Sequence, residues 1–161
     1  MDIEDLGPAE RFAAGAIGAP GSRRFYLEVT ADGALHSLLA EKQQIAALAT
    51  QGLEILDAHE VSSDETAVGR LIDSGLQISD PGDGNERFRV GTISIAMAPS
   101  ELLTITIESV DEDDALTFVI APEQFRAMAT VALDVVASGR PMCPWCRLPM
   151  DPTDHECPAR N

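Results

Sequence analysis

An internal echo constrains the fold of this chain more than any other feature. Arg11-Phe-Ala-Ala-Gly-Ala-Ile17 and Arg87-Phe-Arg-Val-Gly-Thr-Ile93 agree at Arg, Phe, Gly and Ile. Further on, Phe25–Glu28 answers to Leu103–Glu108, each an alternating segment closing on glutamate. Ala34-Leu35 through Ala40, Gln43 and Ala46 answers to Ala115-Leu116 through Ala121, Gln124 and Ala127. One helix covers the apolar face of a three-stranded sheet poorly, whereas two such units share a single core. The expectation is an α+β fold: two tandem βββα repeats forming one antiparallel-sheet domain with two helices.

In the first unit, residues 1–57, the acidic start through Glu10 carries no strand pattern. Arg11–Ile17 reads as a strand, Gly18–Ser22 as its turn and Phe25–Val29 as the return strand. Glycines 15, 18 and 21 echo a phosphate loop, but a strand rather than a helix follows them, which favours a hairpin. Asp32-Gly33 closes a second hairpin ahead of a strand at Ala34–Leu39. The helix predicted from Glu41 to Asp57 keeps Ile45, Leu48, Ala49, Leu53 and Leu56 on one face.

Residues 58–86 break the pattern and read as an acidic linker with one turn of helix around Ala67–Ile72. In the second unit, residues 87–139, a helix from Pro122 to Ser138 turns Phe125, Met128, Ala129, Ala132 and Val136 inward. Pro122 suits its first position and Gly139 its end. Gln43 and Gln124 each stand three residues past an alanine N-cap, where the amide can reach back to the cap N–H.

The pairs Arg11 with Glu28 and Arg87 with Glu108 are placed to form equivalent cross-strand ion pairs. Their functional alternative is a symmetric pair of arginines holding an anion. The acidic tetrad Asp111–Asp114 reads as a solvated hairpin tip, since a calcium loop spaces its carboxylates and includes glycine. His36 reads as a satisfied wall residue of a strand, and His59 likewise stands alone. No GxSxG or HExxH motif occurs, and Lys42 is the sole lysine, which removes P-loop lysine chemistry.

The formal net charge of −16 argues against nucleic-acid binding, which needs a basic surface, and the arginines are scattered along the sequence. No apolar run reaches membrane-spanning length. The scarcity of aromatics, 4% of the chain, leaves the core to Leu, Ile, Val and Ala.

Residues 140–161 name a chemistry. Cys143-Pro-Trp-Cys146 and His155-Glu-Cys157 hold all three cysteines in the pattern C-x2-C-x8-H-x-C. The CxxC turn aims two thiolates at one point, and His155 and Cys157 share a face in extended backbone. Three thiolates and an imidazole suit tetrahedral zinc. A tail this short has no core of its own, so the metal would supply much of its folding energy. A disulfide staple fits badly, because the cysteines are odd in number and nothing at the start reads as a secretory signal. Thiol–disulfide exchange at Cys143 and Cys146 is the sharper rival. It normally needs a helix opening at the first cysteine, and Pro141 and Pro144 oppose that.

These residues also resemble a known family. Arg11-Phe, Gly15, Gly18-x-Pro-Gly21, Phe25-Tyr-Leu, Phe88-Arg-Val-Gly91-Thr and the closing Gly139-Arg-Pro-x-Cys143-Pro-x-Cys146, Asp151-Pro and His155-x-Cys157-Pro are similar to the actinobacterial domain of unknown function 3090. The glycine usual there after the second cysteine is Arg147 here. The resemblance implies a cytoplasmic bacterial protein and supplies no activity. The functional expectation is a non-catalytic binding or adaptor protein with a structural zinc site at Cys143, Cys146, His155 and Cys157. An acidic surface of this kind suits a basic partner or a peptide strand at a sheet edge. The alternative is an enzyme, either zinc-dependent or exchanging thiols at Cys143 and Cys146.

Overall fold

Alternating Leu, Ile, Val, Thr and aromatic residues, broken by turns in which glycine, aspartate or glutamate takes positive φ, dictate most of the strands. The computed structural model describes residues 2–19 and 21–138. Strand β1 (Ile3–Pro8) is followed by β2 (Arg11–Ile17), β3 (Arg24–Ala31) and β4 (Ala34–Ala40). Helix α1 (Lys42–Ala58) and helix α2 (Glu65–Asp73) come next. Strands β5 (Phe88–Met97), β6 (Leu103–Ser109) and β7 (Ala115–Ile120) then lead into helix α3 (Pro122–Ala137). The class is α+β, and the chain runs twice through a three-stranded antiparallel meander and a helix. At the β3–β4 turn, Asp32 and Gly33 take φ of +52° and +75°, the left-handed pair that a two-residue hairpin requires.

Three expectations need correction. The sheet has seven strands in the order β1-β7-β6-β5-β4-β3-β2, because Ile3–Pro8 forms a strand where no strand pattern was read. It is mixed rather than antiparallel: β4 and β5 pair in parallel at Leu38↔Phe88 and Leu39↔Arg89, and β1 runs parallel to β7 from Ile3↔Ala115. Short turns do make antiparallel pairs, but a helix between units returns the chain to the same end of the sheet. Among the described residues there are three helices rather than two. In the stretch read as a linker, Asp64 caps α2 by accepting from Thr66 N at 2.9 Å.

The two outermost strands of the sheet, β1 and β2, are joined by only Ala9 and Glu10. So short a link brings the two edges together at one end, and the sheet curls there. Ala9 N donates to Val119 O of β7 at 2.9 Å, and Glu10 N donates to Thr30 O of β3 at 2.8 Å. Across the seam the rings of Phe12 and Phe118 stack edge-on with centroids 5.0 Å apart.

One core fills this curled sheet and extends under α1 and α3. It joins Phe12, Leu27, Leu38, Ile105, Leu116 and Phe118 of the strands to Ile45, Leu48, Leu56, Phe125 and Met128 of the helices. The helices cross at Gly52, where a Cβ would lie 1.9 Å from the Phe125 ring, so only glycine lets them approach this closely. A smaller cluster lies on the opposite face of β2, where Ala13 and Ala127 meet Leu76 and the apolar residues of α2. Both faces of β2 are therefore covered.

The N-cap reading holds for Gln124, whose Oε1 accepts from Ala121 N at 2.8 Å. In the first helix it moves by one residue. The cap is Glu41, and Gln44 rather than Gln43 accepts its N–H at 2.9 Å. The Nε2 of Gln44 donates to Val90 O at 3.0 Å and that of Gln124 to Ala9 O at 2.9 Å, so each amide ties its helix to backbone.

Candidate functional site

The proposed metal ligands Cys143, Cys146, His155 and Cys157 lie outside the described residues. Among the described residues, no group of three or more His, Cys, Asp or Glu is arranged to hold a metal ion. Nor does any helix among them have the length and apolarity to cross a membrane. The acidic tetrad is divided: Asp113 Oδ1 accepts from Ser109 Oγ at 2.8 Å, while Asp114 turns to an arginine.

The two echoed arginines hold carboxylates of the chain itself. Arg11 sits at the start of β2 and pairs with Glu28 of β3 at 2.5 Å, as the spacing predicts. Glu28 is only 2% exposed, and its other oxygen accepts from Ser79 N at 2.8 Å. Arg11 also donates to Gln77 O, so this buried carboxylate fastens residues 77–79 onto the sheet.

Arg87 departs from expectation. Its partner is Asp114 rather than Glu108, held through two parallel bonds of 2.9 Å from Nε and NH2. Glu108 lies in the body of β6 opposite Thr92, whereas the β6–β7 turn carries Asp114 onto Arg87. The same guanidinium donates to Glu4 of β1 at 3.3 Å and to His36 Nδ1 of β4 at 3.1 Å. Because Arg87 only donates, Nδ1 must accept, which leaves His36 neutral with its proton on Nε2. Burial and the neighbouring Arg87 charge lower the His36 pKa, against the weaker pull of Glu4 and Asp114. Hydrogen bonding to Arg87 holds the Asp114 carboxyl below its ordinary value. His36 is thus a wall residue with a partner, as its strand position suggests. His59 closes α1 by bonding Ile55 O through Nδ1 at 2.9 Å.

A second cluster of cations is only partly paired within the chain. Arg23, Arg24, Lys42 and Arg89 line a cleft of about 400 Å³ together with Glu41 and the apolar Phe25, Leu39 and Ala40. They are far apart in sequence, and the sheet register assembles them. Phe25 pairs with Ala40, which places Arg24 beside the β4–α1 junction and Lys42, and Leu39 pairs with Arg89. Eleven Lys and Arg occur in the chain, three of them (Arg140, Arg147 and Arg160) outside the described residues. Half of the remaining eight therefore face one cleft. The sequence carried no signal for this, because the link between Leu39 and Arg89 comes from the unforeseen parallel pairing of β4 with β5.

The cleft also borders the end of α3. Arg23 NH1 donates to Ser138 Oγ at 2.9 Å, and Ser138 is the last described residue before the cysteine-containing tail. On the other side Arg24 forms ion pairs with Asp80 and Asp83 of the glycine-rich segment ahead of β5.

Residues 5–157 match the family model described as protein of unknown function DUF3090. No curated protein and no solved structure matches the chain.

Proposed function

Taking as premise that the chain belongs to the DUF3090 family, we propose a non-catalytic binding protein carrying a structural zinc site. Its ligands would be Cys143, Cys146, His155 and Cys157, and its setting a reducing cytoplasm. The observation that carries this reading is how the polar side chains of the scaffold are used. Among the described residues, no buried side-chain nitrogen or oxygen lacks a hydrogen-bond partner. Arg11, Glu28, Arg87, His36 and Asp114 are all committed to holding strands and loops together. A scaffold built in this way presents surfaces for recognition rather than a poised nucleophile and base.

The donor set of the tail fits zinc on chemical grounds. Four protein ligands fill a tetrahedron and leave no position for a reactive water. Zinc would fold a segment too short to build a core, beginning in sequence just after α3. The doubled order of meander and helix supports a fusion of two like units into this scaffold. The acidic remainder of the surface suits a basic protein partner.

Zinc analysis combined with thiol titration tests the reading. The expected result is about one zinc per chain, with cysteines that react only after chelation. Cys157→Ser should lower zinc content and loosen residues 140–161. Unchanged metal content in that variant would refute the closed site. Thiol–disulfide exchange by metal-free protein would replace it with redox chemistry at Cys143 and Cys146.

A further inference from the structure

We infer that the cleft between β3, β5 and the start of α1 binds a small anion bearing more than one negative charge, of the phosphate or pyrophosphate class. The inference deepens the binding reading above and is independent of zinc. In a chain with a net charge of −16, the cations have many carboxylates to approach, yet four of them line one cleft with a single carboxylate, Glu41. Like charges gathered in a partly enclosed space repel, and an anion between them removes that repulsion. Neither Lys42 nor Arg89 has a carboxylate partner among the described residues. Lys42 opens α1 beside its N-cap Glu41, the one carboxylate in the cleft's lining, so the four cations there remain in excess.

Size and shape favour a small molecule over a polymer. About 400 Å³ lies in the range of ligand clefts, and Phe25, Leu39 and Ala40 give it an apolar floor. Guanidinium forks match the oxygens of phosphate, and four cations exceed what a single carboxylate neutralises. The structure also holds a stand-in for the ligand. The side chain of Asp83 is 92% exposed and reaches back to Arg24 from a segment with glycines of positive φ at 82 and 84. A carboxylate that exposed is readily displaced, so Asp83 competes with the ligand for Arg24.

Calorimetric titration of the full chain with inorganic pyrophosphate tests this, alongside citrate as a polycarboxylate and at two salt concentrations. Pyrophosphate should bind at millimolar concentration or below, and citrate more weakly. Arg89→Glu and Lys42→Glu should each weaken binding about tenfold or more, the loss of one charge-assisted contact. Arg70→Glu, on α2 away from the cleft, should leave affinity unchanged. Asp83→Asn should tighten binding about two- to fivefold by removing the competing carboxylate. An absence of heat with pyrophosphate would overturn the inference. So would equal weakening by Arg70→Glu, which would show diffuse attraction, or citrate binding as tightly, which would overturn the phosphate class. Zinc content measured on the same samples keeps the readings apart, since binding by zinc-free protein refutes the tail site alone.

Discussion

Replacing Gly52 by alanine sets two physical effects of opposite sign against each other. On propensity alone, alanine in the interior of α1 should stabilise the helix by about 1 kcal/mol. The packing predicts the reverse. A Cβ at this position would lie 1.9, 2.3 and 2.7 Å from three carbons of the Phe125 ring, where normal contact is about 3.5–4.0 Å. Phe125 is fully buried among core residues, so the ring can move aside only by displacing neighbours or by separating α1 from α3. Overpacking on this scale costs at least about 3 kcal/mol, leaving a net loss of about 2 kcal/mol or more. For a domain of this length the melting temperature should fall by about 4–8 °C.

Differential scanning calorimetry of Gly52→Ala, Phe125→Leu and the double variant measures the effect and its origin together. If the clash is the cause, Phe125→Leu should recover part of the loss, and the two substitutions should be strongly non-additive. A Gly52→Ala protein that melts at or above the parent temperature would refute the reasoning, because helix propensity would then outweigh the crossing contact.

Other perturbations follow from the same geometry. Gly91→Ala would put a Cβ 2.9 Å from Ser109 O and Val110 Cα, both backbone atoms at a break in the β5–β6 register. It should cost about 1–3 kcal/mol in chemical denaturation, and an unchanged midpoint would contradict the bulge. Arg11→Met leaves the carboxylate of Glu28 buried with Ser79 N as its remaining partner, and should cost about 2–3 kcal/mol. That figure is below the usual loss for a broken buried pair because the Arg11 side chain is 28% exposed. Increased proteolytic cleavage near residues 75–79 would report the release of the segment it holds.

Acid should weaken the fold in two stages. The unfolded chain protonates His36 near its unperturbed value of 6.5, whereas the folded protein resists until a lower pH. Stability is therefore complete above about 6.5 and declines as pH falls from there to the folded value. The Asp114 contribution is present above its unperturbed 3.8 and is lost as pH falls through its lower folded value. Melting temperatures across this range should show both losses, and His36→Gln should abolish the first while keeping the second.

Local patterns carried most of the elements. The alternation in Arg11–Ile17 and Leu103–Ser109, the Asp32-Gly33 turn and the stripe of α3 each reflect forces acting within a few residues, so they could be read without the fold. What escaped was decided by distant partners. Ile3–Pro8 has no apolar alternation and becomes a strand because β7 offers it backbone groups to pair with. The partner of Arg87 shifted from Glu108 to Asp114 because turn geometry, not strand alternation, positions that carboxylate. Gly52 falls on the inward face of α1, where a glycine signals close approach, but only the neighbouring helix reveals what approaches. The basic cleft depends on the register of three strands and was therefore hidden in a chain whose charge points the other way.

The corner at Ala9 and Glu10 bears on the order of events at the ribosome. Ile3 emerges well before its partner Ala115, with β2 to β6 and two helices made in between. Until then β1 has nothing to pair with, while β2, β3 and β4 can already form hairpins with their neighbours in sequence. Pairing β1 with β7 is thus a late, long-range step, of the kind that slows folding and leaves strand edges open to other nascent chains. Strand β1 acts, in effect, as a latch that β7 must arrive to fasten.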